Sequence, residues 1–230
     1  MTRWPIARYL LGTHYLFLLA VLIGFYLAIG VILAVVSRFT EITLSAADIG
    51  GQILNWMAAG YGFTACSVLA VVMVHGRTRR EFLVQHPAYQ IILTGTAAAL
   101  ITGVYAAETA LYSALDWGQK VQDERAYEST TDYPTIFVAY WSMLLIWQMV
   151  GAFVGVAVYR WETPGALAAL PAAALLLLSG GINGFFQLPF VPVDIEAPLP
   201  MAGATVIVVA VTWAMLWATG RDIPVRAQAA

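Results

Sequence analysis

The chain has 230 residues, of which 61% are hydrophobic and only 10% charged, with a formal net charge of −2. Soluble domains carry about a quarter charged residues, so this composition, with a mean hydropathy of +0.78, excludes an ordinary soluble fold and points to lipid as the solvent. Only Lys120 of the 11 basic residues is lysine, no basic surface for nucleic acid is present, and the single cysteine, Cys66, excludes a disulfide framework or cysteine metal cluster within one chain.

A bilayer core of about 30 Å is crossed by about 20 apolar residues in a helix, and nothing in hydrocarbon can pair backbone groups that a helix leaves open. The chain begins with residues 1–13, which include Thr2-Arg3-Trp4-Pro5-Ile6-Ala7-Arg8-Tyr9-Leu10-Leu11. Trp and Tyr favour the headgroup level and Arg reaches phosphates, so this stretch is either a short interfacial helix or a tail that only adds positive charge. The first apolar run follows, from about His14 to Val36. It is longer than a signal-peptide core and no A-x-A-like site follows it, so it is expected to remain as a helix.

The second run extends from about Gln52 to Val74 and the third from about Ala88 to Ser113, both without Lys or Arg. Between them, in a connecting segment at 75–87, lies His75-Gly76-Arg77-Thr78-Arg79-Arg80-Glu81-Phe82-Leu83. Gly76 can end the second helix, Thr78 followed by Glu81 is a capping-box pattern, and Phe82 with Leu83 gives the next turn an apolar face. A short helix between two spans is expected. From charge alone, the three arginines read as a topology anchor.

Residues 114–133 form the longest connection and collect Asp116, Asp123, Glu124, Glu128 and Asp132. Such a loop is an acidic segment too short to be a domain. The fourth run, from about Pro134 to Tyr159, carries Gly151 and Gly155 as a G-x-x-x-G pair suited to close helix contact, within one chain or between two. The fifth runs from about Gly165 to Phe186 and the sixth from about Pro200 to Thr219. The segment 179–199 between them is unusually apolar for a loop and is broken by Gly180, Gly181, Gly184, Pro189 and Pro192. It reads either as a re-entrant element or as a helix end followed by a Pro-rich surface turn.

Orientation follows the arginines. Eight basic residues (Arg3, Arg8, Arg77, Arg79, Arg80, Arg160, Arg221 and Arg226) fall on one side of this six-span layout, and Arg38, Lys120 and Arg125 on the other. The positive-inside rule then places both termini in the cytoplasm and the acidic loop outside. Glu108 is the one acidic residue well inside a run, near its outer end, and intramembrane ionisable groups are functional candidates by default. Asn55, Gln148 and Asn183 suit hydrogen bonds between helices. The three histidines, His14, His75 and His86, lie near membrane boundaries with poor geometry for a haem pair, and Ser179 has no histidine in a later helix to act as its base. No nucleotide-binding G-x-x-x-x-G-K-[ST] loop occurs.

Gly76, Thr78, Arg79, Arg80 and Phe82 match the pattern G-[VT]-[ST]-R-[RK]-x-[FY], with Arg77 at its variable position. Six spans, cytoplasmic termini and this motif between the second and third make the chain resemble the permease subunits of bacterial type-2 ABC exporters. The resemblance implies an all-α polytopic fold in the bacterial cytoplasmic membrane, with an N-terminal interfacial helix, a short cytoplasmic coupling helix and a re-entrant segment before the last helix. It implies that Gly76, Arg77, Thr78, Arg79, Arg80, Glu81 and Phe82 couple to a separate ABC ATPase subunit that holds ATP and Mg, with no cofactor or metal bound by this chain. Arg77, Arg79 and Arg80 would face lipid headgroups or acidic groups of the ATPase, and Phe82 would be an apolar anchor. The permease would work as a homodimer or with a related permease, exporting a lipid, drug-like or peptide substrate, with Glu108, Asn183, Phe185, Phe186 and Gln187 as pathway candidates. The alternative is a non-transporting scaffold or regulatory subunit that uses the acidic loop as a binding surface.

Overall fold

A computed structural model describes residues 4–41, 45–121, 126–183 and 197–223. The described residues form α1 (Pro5–Val36), α2 (Ala46–Phe63), α3 (Ala65–Val74), α4 (Arg79–Leu115), α5 (Tyr133–Trp161), a short 3-10 helix (Thr163–Ala168), α6 (Ala169–Ile182) and α7 (Pro198–Gly220). The protein is all-α, and six of its helical stretches are long and apolar enough to cross a membrane, counting α2 with α3 and the 3-10 helix with α6. Prolines in the first two positions of α1, α5 and α7 sit where a missing N–H costs nothing.

The axis of the bundle is α5. Of its most hydrophobic stretch 78% is buried, against 6% for α1, so α5 is the central post and α1 a peripheral, largely uncovered helix. The basis is close backbone packing between α2 and α5. A side chain on Gly62 would run into the Gln148 carbonyl, and one on Gly151 or Gly155 into the carbonyls of Ala59 or Phe63. The G-x-x-x-G pair therefore serves a contact within this chain.

The helices start earlier than the apolar runs. Ser45 accepts from the Asp48 amide and caps α2 at Ala46, six residues ahead of the expected Gln52. The 32 residues of α1 and 37 of α4 correspond to about 48 and 56 Å at 1.5 Å per residue, well beyond a bilayer core. The expected interfacial helix at 1–13 is, over its described part, the first turns of α1. Likewise the separate short helix expected at 75–87 is the first turns of α4, which continues through Pro87 into the span. Pro87 has no N–H to donate to Leu83 four residues back. The Trp213 indole of α7 supplies that bond instead, donating to the Leu83 carbonyl at 3.0 Å.

The start of α1, the start of α4 and the ends of α5 and α7 lie together at one end of the bundle. The Ile6 amide donates to Gln85 Oε1 at 2.8 Å, Arg160 donates to the Thr219 carbonyl at 2.7 Å, and Gly220 faces the Leu83 side chain. Arg77, Arg79, Arg80, Arg160 and Arg221 thus share the end at which both termini of the described chain emerge.

Candidate functional site

The basic turn is built by local chemistry. Gly76 sits at φ +73°, in the left-handed region that lets the chain leave α3. Thr78 caps α4: its Oγ accepts from the Glu81 amide at 3.1 Å, and its own amide donates to Glu81 Oε2 at 2.9 Å, which is the capping box the sequence predicts. Arg77 lies 3.7 Å from the other Glu81 oxygen. Arg80 is exposed, whereas Arg79 is partly covered and buries its Nε without a partner.

Phe82 does not project from the turn. It is fully buried and stacks on His86 with ring centroids 4.7 Å apart. Phe82 and Leu83 belong to a core formed with Ile6 and Leu10 of α1, Leu69 of α3, Phe153 and Val156 of α5 and Leu216 of α7. Phe82 thus anchors the start of α4 to the bundle and offers no surface of its own to a partner. In the α4 register the aromatic ring falls on the face packed against the bundle, leaving Arg80 and Val84 outward. His14 joins the adjoining layer through Tyr89, its Nδ1 2.8 Å from the Tyr89 hydroxyl, and the His86 ring contacts the same tyrosine.

Glu108 lies at the opposite end, where its carboxylate caps α2. One oxygen accepts from the Ala46 amide at 2.6 Å, the other from the Ser45 hydroxyl at 2.9 Å and the Ala47 amide at 3.0 Å. A carboxylate at a helix N-terminus satisfies orphan amides and meets the positive end of the dipole. Beside it lies a buried cluster that the sequence reading passed over. Asp48 accepts from the hydroxyls of Tyr127 at 3.1 Å and Tyr105 at 3.4 Å, and Tyr105 lies 2.9 Å from the Tyr127 hydroxyl and 3.0 Å from that of Tyr140. All four side chains are almost wholly buried. Tyr127 belongs to the acidic loop, so this cluster ties the loop to α2, α4 and α5. Gln119 adds a second tie through Thr109 and Thr130, each 3.0 Å away.

Asn183 ends α6 and donates to the Ser179 carbonyl at 2.8 Å and to the Ser142 hydroxyl at 3.4 Å. Glu108 and Asn183 share no hydrogen-bond partner, so the structure does not join them into one site. Phe185, Phe186 and Gln187, with most of the segment 179–199, lie outside the described residues. Two signals in the sequence mark the missed cluster: Ser45-x-x-Asp48 is a helix-start pattern, and Tyr105, Glu108 and Tyr112 are spaced to share one face of α4. Among the described residues no group of three His, Cys, Asp or Glu side chains is arranged to hold a metal. No protein family, curated protein or solved structure matches this chain.

Proposed function

We propose that this chain is the membrane-spanning permease subunit of an ATP-driven exporter, with ATP and Mg held on a separate ATPase chain that docks on the turn at 76–84. The observation that carries the reading is the way this turn is fixed. It is stiffened by its own capping box, wedged into the bundle by Phe82 and Leu83, bonded to α1 through Gln85 and to α7 through Trp213. A displacement applied to the exposed side of such an element is passed to helices from both ends of the sequence, because packed interfaces shift as units and do not deform continuously. A loop that only anchored topology by charge would need none of these attachments.

The outward side carries Arg80 and Val84, a cation beside an apolar side chain, which suits docking against an acidic-rimmed groove. In the cytoplasmic orientation that the arginine bias favours, this side faces a soluble partner. The tied-down acidic loop and the Glu108 cap then form the outer closure, and the central pathway runs alongside α5 in this chain and its dimer mate, a second copy or a related permease. The direct test is Arg80→Glu, checked for normal insertion and abundance. The expected result is loss of ATPase association and of ATP-dependent efflux. Retention of both places the docking surface elsewhere.

A further inference from the structure

A pocket of about 220 Å³ opens at the basic end of the bundle, between the first turns of α1 and the end of α3. Its lining combines apolar side chains, Pro5, Ile6, Val71 and Val72, with the polar groups of Tyr9, His75 and Arg77. Tyr9 is exposed, and so is Val74 beside His75, so the pocket faces outward at the level where a spanning bundle meets lipid headgroups.

We infer that this pocket binds an anionic phospholipid with a hydroxylated headgroup, phosphate against Arg77 and acyl chain against Ile6 and Val71. The Arg77 guanidinium has five N–H donors. Its one ion pair among the described residues, to Glu81, is long at 3.7 Å and about half-exposed, while the other Glu81 oxygen is committed to the Thr78 amide. Donors therefore remain for a phosphate, which guanidinium matches in a two-pronged geometry. His75 Nδ1 is held 2.8 Å from the Val71 carbonyl. A carbonyl only accepts, so that nitrogen carries the proton, and in the neutral ring Nε2 can accept from a headgroup hydroxyl. Among the described residues Arg77 is the charged group that lines the pocket, and the lipid phosphate replaces the Glu81 carboxylate as its closer anion. Gly76, at φ +73° with open space around it, lets Arg77 turn toward the pocket. The site does not depend on an ATPase docking at Arg80.

The test is native mass spectrometry of the full chain in mild detergent, titrated with phosphatidylglycerol or with phosphatidylcholine of the same acyl chains. Phosphatidylglycerol is expected to bind the wild type more tightly. Arg77→Gln should weaken it about fivefold and leave phosphatidylcholine unchanged. Val71→Trp, which fills the apolar wall and keeps every charge, should also reduce it, and Arg221→Gln, a basic residue at the same end but outside the pocket, should not. Equal binding of the two lipids, unchanged binding in Arg77→Gln, or an equal loss in Arg221→Gln would overturn the site. Displacement of the lipid by millimolar inorganic phosphate would overturn the lipid assignment and make the pocket a soluble-phosphate site.

Discussion

Trp213 and Pro87 show how a single pair of residues decides whether a span can run unbroken. Proline inside a helix leaves one carbonyl without its donor, and in lipid no water makes up the loss. The indole of Trp213 does so from a helix 130 residues away in sequence. Trp213→Phe should therefore destabilise the protein by about 1–3 kcal/mol, read as a lower unfolding temperature in detergent. In a Pro87→Ala background, where the alanine amide can bond Leu83, the same change should cost much less; equal costs in both backgrounds would remove the proposed link. Phe82 gives a second reading at this scale. Because it is buried, Phe82→Ala tests packing, with an expected loss of about 3–5 kcal/mol, and Arg80 is the residue that tests docking. The sequence made the Thr78–Glu81 capping box legible because it is a local pattern. It could not reveal the inward side of Phe82, which depends on α1, α5 and α7 as well as the neighbouring α3, nor the Trp213 bond.

Among the elements, α2 and α5 are joined at the closest contact in the bundle. Gly151→Val places a side chain against the Ala59 carbonyl and should destabilise by about 1–3 kcal/mol as the helices separate, whereas the same change at Gly103, which has nothing within 4 Å, should have little effect on packing. Comparison of the two unfolding temperatures separates helix contact from the general effect of replacing glycine. At its first turn α2 is held by Glu108. Glu108→Ala removes the acceptor for two amides and a hydroxyl, with an expected cost of about 1–2 kcal/mol, and the Ala46 and Ala47 amides should exchange hydrogen roughly tenfold faster. Unchanged exchange there would show that the cap does not hold the helix. Apolar length located all six spanning stretches, because lipid imposes one thickness on each. Their starts at 5, 46 and 79 were set by proline, Ser45 and Thr78, so counting hydrophobic residues placed them late. The G-x-x-x-G pair was visible in sequence, but its partner was not, since small residues favour close approach without naming the helix that approaches.

At the scale of the whole molecule, two polar layers bracket an apolar bundle. One end holds the basic turn, the Ile6–Gln85 bond and the Arg160 clamp on α7; the other holds Glu108, Asp48 and the tyrosine cluster. The turn at the basic end is attached to α1, α5 and α7, and the layer at the far end closes α2, α4 and the acidic loop, with α5 passing through both. In the proposed cycle, force enters at Arg80 and Val84, passes along α4 and α5, and opens the outer layer. The arginine bias made the two ends distinguishable from sequence alone, whereas the tyrosine cluster at the far end went unread because its members are 57 and 79 residues from Asp48, and the local signals at Ser45–Asp48 and along α4 do not say that they meet. The central claim is that another chain supplies the ATP chemistry. It is tested most directly by purifying the tagged protein in mild detergent from its own host, identifying co-purifying chains by mass spectrometry and assaying ATP hydrolysis. The account predicts a nucleotide-hydrolysing subunit in stoichiometric amount with the wild type and its absence with Arg80→Glu. Recovery of the wild type without such a subunit, even after cross-linking in the membrane, would contradict it.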